Sequence, residues 1–235
     1  MKYIETMGEA PLGSSVQQLL QRRILSGELK AGEWLPPERD IALELGVSRS
    51  SVHQAVLALE SRGFVRIVPR KGIQVSDYRK HPTPQSLAAI MSYSGAELDR
   101  NIFDDMMEFR IWLETQSARL ACTNIYEATA GEMRETARAL TRPGAELTAL
   151  TVRFHYLLTQ ASGNSIFAMV FRACEPAIYS LTQKRYSLSD GDVADIADQM
   201  EKLVELIEQG QREEAAAQVE NMLRRGIGYL DGRYC

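Results

Sequence analysis

One glycine limits the fold of this chain more than any other residue. Gly46 stands between two short amphipathic stretches, with Ile41, Ala42 and Leu45 before it and Val52, Ala55, Val56 and Leu59 after it. Glycine ends a helix readily because it enters left-handed backbone without steric cost. Ser48, two residues on, begins one well, since its hydroxyl accepts a first-turn N–H. The chain therefore makes two helices and a tight turn here. The second starts at Arg49 and runs to about Arg62. Its first turn is Arg49, Ser50 and Ser51, with no apolar residue, and His53 and Gln54 follow on the side of Ser50.

The flanking segments extend this pattern. Val16, Leu19, Leu20 and Ile24 have helical spacing after Ser14 and Ser15, a candidate cap. GELKAGEWLPPER is a turn-rich connection, and it places Pro37 at the first position of the next helix with Glu38 in its first turn. Beyond Arg62, FVRIV alternates, PRKG turns and IQVSD alternates back, which predicts a β-hairpin. Residues 77–85, DYRKHPTPQ, are polar with two prolines and read as a linker.

Charge divides the chain at the same place. Residues 1–80 hold 12 Lys+Arg against 9 Asp+Glu, a balance of +3; the rest hold 15 against 22, a balance of −7. Together these give the overall −4. A small basic module is joined to a larger acidic one. The expected fold is mainly α: an N-terminal winged helix-turn-helix with a small β-hairpin over 1–80, and a C-terminal antiparallel α-helical bundle over 81–235. The bundle is predicted from five stripes. They are Ile102, Met106, Phe109, Leu113 and Leu120; Leu147, Leu150, Phe154 and Leu157; Ile166, Val170, Ala173, Ala177 and Leu181; Met200, Leu203, Val204 and Ile207; and Val219, Leu223, Ile227 and Leu230. Pro176, inside the third, predicts a kink.

In a helix-turn-helix the second helix enters the major groove, and its N-terminal residues reach base edges. Small Ser48, Ser50 and Ser51 let the backbone approach phosphates. The helix N-terminus carries partial positive charge. Arg49 can grip a phosphate or donate two bonds to guanine, and His53 and Gln54 share its face. Arg70, Lys71 and Gly72 at the hairpin tip would lie along a neighbouring groove or backbone. The competing reading, an ordinary capping sequence on a solvated helix, is outweighed by the preceding helix, the basic hairpin and the local positive charge.

The run from Ile24 to Val75 resembles the DNA-binding domain of the GntR family of bacterial transcriptional regulators over residues 14–76. Its markers are G-x-L-x-x-G-x-x-L-P-x-E-R from Gly27 to Arg39, L-G-V-S-R from Leu45 to Arg49, and A-x-x-x-L-x-x-x-G from Ala55 to Gly63. The resemblance implies that Arg39 contacts DNA beside Arg49, with Ser48, Ser50 and Ser51 on backbone or bases. The position of His53 is usually arginine in that family, so the preferred operator is expected to differ.

Residues 84–230 resemble the all-helical effector domain of the FadR subgroup, on Phe109-Arg110-x-x-Leu113-Glu114, Phe154-His155, the ASGN run 161–164 and the paired C-terminal helices. Many members hold a divalent metal on one Asp and three His. Here Thr151, Met200 and Met222 occupy ligand positions. One imidazole without partners is not such a site, so no cofactor is expected. The resemblance further implies effector contacts at Arg110 and Tyr186, and an effector that is an acyl-CoA or another carboxylate; His155, as a hydrogen-bonded pocket or core residue, and Tyr179, from the aromatic lining, complete the candidate effector residues. Met91, Met106, Met107, Met169, Phe167, Phe171 and Tyr179 offer flexible apolar surroundings for it, or else a plain core. For Arg110 the alternative is an i,i+4 pair with Glu114.

The function expected is therefore a sequence-specific regulator, a repressor, binding a double-stranded DNA operator as a homodimer under control of a small acidic effector. A constitutive dimer without effector remains open. An enzyme with a DNA-binding appendage is disfavoured, since the chain has no GxSxG, P-loop or HExxH and only His53, His81 and His155. Cys122, Cys174 and Cys235 have no metal or disulfide spacing. No apolar run reaches the ~18 residues that span a bilayer, and the N-terminal segment lacks signal-peptide character. A cytoplasmic protein with no membrane partner is expected.

Overall fold

The computed structural model describes residues 15–93, 99–188 and 193–230. They form two compact units, one through Ile90 with residues 99–100, the other residues 91–93 with the chain from Asn101 onward. Ser14 and Cys235 lie outside the described residues, as does the side chain of Leu230.

The first unit runs α1 (Ser15–Leu25), α2 (Glu38–Leu45), α3 (Arg49–Ser61), β1 (Val65–Val68), β2 (Gly72–Val75) and α4 (Pro84–Met91). Gly46 closes α2 with φ 65°, and Val47 N–H reaches back to the Ala42 carbonyl at 3.0 Å. A Cβ at Gly46 would meet nothing within 4 Å, so the backbone angle alone selects glycine there. The core joins Leu20 and Ile24 of α1, Ile41 of α2, and Val52, Val56 and Leu59 of α3 to Phe64 beneath the hairpin. Pro37 is the cap of α2 rather than its first helical residue: its backbone is extended, and its carbonyl accepts from Asp40 and Ile41.

β1 and β2 pair antiparallel with Val65 opposite Val75 and Val68 opposite Gly72. The connection before α2 does more than turn. Trp34 bridges to Gln74, Leu35 N–H donates to the Ile73 carbonyl at 2.9 Å, and Val75 N–H donates to the Glu33 carbonyl at 2.8 Å. This adds a short third rung to the hairpin.

The segment expected as a linker is structured. Tyr78 is buried edge-on against Phe64, with centroids 5.3 Å apart. Arg79 pairs with Asp99 at 2.6 Å. Thr83 and Ser86 cap each other: Thr83 N–H donates to Ser86 Oγ at 2.8 Å, and Ser86 N–H to Thr83 Oγ1 at 2.9 Å. Of the prolines that suggested a spacer, Pro84 instead opens a short helix, and the boundary between units falls after Ile90, about ten residues beyond 80.

The second unit is all-helical: α5 (Arg100–Asn124), α6 (Glu127–Ala139), α7 (Leu147–Ala161), α8 (Ser165–Leu188), α9 (Val193–Glu208) and α10 (Arg212–Leu230). α6 packs on α7 and α9, α7 on α8, and α10 on α8 and α9. Short turns between successive helices make those neighbours antiparallel. One core gathers Met133, Phe154, Leu158, Met200, Leu203, Val204, Ile207 and Val219. A second holds Leu113, Val152, Phe171, Cys174 and Ile178.

Two of the expected stripes are out of phase. Phe109 is exposed and stacks on Trp112, while α5 buries Ile102, Met107, Leu113, Ser117, Ala118 and Ala121. Ile166 is exposed, and α8 buries Phe171, Cys174, Ala177 and Ile178. α8 continues through Pro176. Exposed ion pairs line the outer surface, among them Arg119–Glu213 at 2.8 Å and Arg138–Glu201 at 3.0 Å. Each such pair contributes little singly. Among the described residues, no helix is long and apolar enough to cross a membrane.

Candidate nucleic-acid interface and bundle cluster

The leading end of α3 faces outward. Ser48 caps it, accepting the Ser51 N–H at 3.1 Å, and its hydroxyl lies 2.8 Å from both Ser50 and Ser51 hydroxyls. The three serines thus form one hydroxyl cluster at the positive end of the helix. Ser48, Arg49, Ser50, His53 and Gln54 are all exposed and Ser51 is half-buried, while Val52, Ala55, Val56 and Leu59 fill the core beneath. The Arg49 side chain is 76% exposed and that of Arg39 85%. Arg39 reaches its neighbour Asp40, at 3.2 Å.

Glu38 organises this surface, a role the sequence did not reveal. Its carboxylate, 19% exposed, accepts from His53 Nδ1 at 2.8 Å through one oxygen and lies 3.7 Å from Arg49 Nε through the other. One acidic group at the start of α2 therefore fixes two side chains of α3. Periodicity carries no sign of a contact spanning 15 positions.

The hairpin supplies the second basic element. Arg70, Lys71 and Gly72 are all exposed at its tip. Arg70 has φ 63°, the one described non-glycine residue with positive φ. Left-handed backbone costs an L-residue roughly 1–2 kcal/mol, so an arginine there holds its guanidinium outward against a local penalty. Glu60 of α3 accepts the Ile67 N–H at 2.7 Å and ties β1 to the helix.

In the second unit, Arg110 and His155 meet on one carboxylate. Arg110 Nε donates to Glu114 Oε1 at 2.7 Å, and His155 Nδ1 lies 2.5 Å from Glu114 Oε2. Glu114 is fully buried, and the Arg110 side chain is 14% exposed. Burial pushes the Glu114 carboxyl up, but the His155 and Arg110 charges and hydrogen bonds outweigh it and hold the group below the ordinary carboxylate range. The i,i+4 pair weighed for Arg110 is thus present, with His155 as an added partner. Burial also pushes the Cys174 thiol up to about 11, with the nearby Arg110 charge opposing. It stays a thiol at neutral pH.

Thr151 and Tyr186 share a hydrogen bond of 2.7 Å. Tyr179 is exposed. Met200 is buried in the larger core, and Met222 packs against it. Among the described residues no three His, Cys, Asp or Glu side chains gather as a metal would require. The donors at the family's ligand positions are thus a bonded hydroxyl and packed thioethers, which do not fit a hard divalent ion. Of the expected methionines and aromatics, Met107 and Phe171 are buried, whereas Met169 and Tyr179 are exposed. An open cleft of about 570 Å³ lies at the α7–α8 turn, lined by Tyr156, Gln160, Asn164, Met169 and Arg172 among others, and by none of the four expected effector residues.

Comparison with known proteins agrees with both halves. Residues 12–75 match the family described as bacterial regulatory proteins, gntR family, and residues 105–225 match the FCD domain. The chain is 32% identical over 117 residues to the HTH-type transcriptional regulator Mce2R of Mycobacterium tuberculosis (strain CDC 1551 / Oshkosh), covering 50% of this chain and 48% of that protein. That match spans about half of the relative's length. It is 25% identical over 178 residues to the Glc operon transcriptional activator of Escherichia coli (strain K12), covering 72% and 68%. Among solved structures, Lar of Listeria monocytogenes superposes with TM-score 0.61 at 18% identity, over 95% of this chain and 98% of that one. E. coli McbR/YncC superposes with TM-score 0.50 at 18% identity, over 97% and 100%. At those identities the structures speak to the fold alone.

Proposed function

The chain belongs to the GntR family of bacterial regulatory proteins and carries an FCD domain, and from that premise we propose that it reads a palindromic operator as a homodimer under control of a small acidic effector. The family and these relatives are DNA-binding transcriptional regulators rather than enzymes.

In the proposed complex the tip of α3 enters the major groove. Arg49, His53 and Gln54 meet base edges, while Ser48, Ser50, Ser51 and Arg39 meet the backbone. Arg70, Lys71 and Gly72 lie along the adjacent strand. Two copies are needed because a two-fold operator mirrors a two-fold protein. The carrying observation is the α3 tip: polar, basic and exposed above, wholly apolar and buried beneath. As a repressor the protein acts by occluding a promoter, and its place of action is the cytoplasm. The Glc operon relative is by its name an activator.

The effector proposed is an anion, an acyl-CoA or another carboxylate, bound without metal near Arg110, His155 and Tyr186, with Tyr179 at its outer edge. A second reading has a specific observation in its favour: Glu114 already neutralises Arg110 and His155, as a purely structural cluster would. The bundle would then dimerise only.

Two measurements test these readings. Binding of the full chain to duplexes selected from genomic fragments is expected to be sequence-selective and steeply salt-dependent. Arg49→Ala is expected to weaken it by roughly 1–3 kcal/mol at fixed salt; equal affinity would remove α3 as the recognition element. Mass spectrometry of gently purified protein, followed by thermal and operator titrations with the retained molecule and with acyl-CoA, separates the effector reading from the constitutive one. A ligand that regulates must shift both stability and DNA affinity.

A further inference from the structure

His53 stands where the resemblance leads one to expect arginine, and its Nδ1 is committed. A carboxylate offers only acceptors, so the 2.8 Å contact with Glu38 Oε1 places the hydrogen on Nδ1. In a neutral ring this leaves Nε2 as a lone-pair acceptor, pointing away from Glu38 on the exposed face of α3.

We propose that Glu38 is a positioning residue that locks His53 into the Nδ1–H tautomer, so that His53 reads an exocyclic amino group in the major groove, cytosine N4 or adenine N6. This rests on α3 being the recognition helix. The major groove makes the consequence sharp. Cytosine and adenine present an amino donor there, whereas guanine presents N7 and O6 acceptors and thymine O4 and a methyl group. Arginine at this position donates and selects guanine. The neutral, locked histidine accepts and selects the opposite pattern on the contacted strand.

The same geometry carries a pH dependence. Among the described residues, the charged groups facing this pair are Glu38 itself, from α2, and Arg49, one turn earlier on α3. Protonating His53 leaves Nδ1–H on Glu38 and turns Nε2 into a donor. With the ring protonated the residue reads guanine; with the ring neutral, cytosine or adenine. Arg49 keeps its charge throughout, so overall phosphate attraction persists while the base preference changes.

The test is selection of duplexes from a randomised half-site by the full-length protein, followed by competition binding, at about pH 8 and about pH 5. The variants are His53→Arg and Glu38→Gln. The position read by residue 53 is the one at which His53→Arg changes the preferred base. At that position and the higher pH, wild type is expected to favour cytosine or adenine over guanine and thymine by roughly three- to tenfold, one hydrogen bond's worth. At the lower pH the preference is expected to move toward guanine. Glu38→Gln, whose amide accepts from or donates to Nδ1 equally well, is expected to lose the preference at higher pH while still binding DNA.

The inference alone is overturned if wild type binds selectively yet prefers guanine or thymine there at the higher pH. It is equally overturned if Glu38→Gln leaves the preference unchanged, or if the preference ignores pH. Absence of any selective duplex binding overturns the regulator reading, and this inference with it.

Discussion

At the scale of single residues, the wing tip sets stability against contact. Arg70 occupies left-handed backbone at φ 63°, where glycine would rest without cost. Arg70→Gly is expected to stabilise the first unit by about 1 kcal/mol, seen as a raised melting temperature, and at the same time to weaken operator binding. A variant that gains stability and keeps full affinity would show that the guanidinium has no DNA partner. Individual residues were also where the sequence was least legible. Arg49 and the serines could be read directly, because capping chemistry and helix phase are local. Glu38 and Glu114 could not be identified as organisers, because His53 lies 15 positions from one and His155 41 positions from the other. Glu114 did appear beside Arg110 as a helical neighbour, but its second partner is a product of packing.

Among the elements, those with strong alternation or dense large apolar residues were recoverable: α3, the hairpin, α7 and α9 all lie where periodicity puts them. α6 was not foreseen, since its buried face is Ala130, Met133, Thr136 and Ala137, too small and polar to stand out. α5 is legible as a helix but not in its phase. Phe109 looked like core and is exposed, whereas Ser117, Ala118 and Ala121 are buried, because close helix packing rewards small side chains over greasy ones. The same helix carries the buried cluster, which makes its own prediction. Glu114 titrates below its ordinary range in the folded state. Its contribution is fully present above the ordinary carboxylate range and fades as pH falls through the lowered value. Glu114→Ala is expected to cost roughly 3–5 kcal/mol at neutral pH by leaving Arg110 and His155 facing each other unpaired. Glu114→Gln is expected to flatten the acid side of the stability curve. Chemical denaturation across pH checks both, and a Gln variant with an unchanged acid limb would remove Glu114 from that role.

For the molecule as a whole, the charge division was legible from composition, and it matters for DNA more than the net −4 does. Phosphate contacts release counterions, so each cation lost from the interface lowers the salt slope of binding by about one. Lys71→Ala is expected to do so while leaving base preference unchanged, in contrast with any change at His53; titrations over a range of salt concentrations distinguish the two. The boundary between units was less legible, because the prolines near 82–84 begin a helix rather than a spacer. The junction they make has a mechanical side. Thr83 Oγ1 bonds the Arg62 carbonyl at the far end of α3, and a Cβ on Gly63 would stand only 3.0 Å from the Thr83 methyl. A 13-residue helix is a rod about 20 Å long, gripped by Thr83 at one end and carrying Arg49 at the other. Thr83 therefore pins the end of that rod opposite the one that carries Arg49.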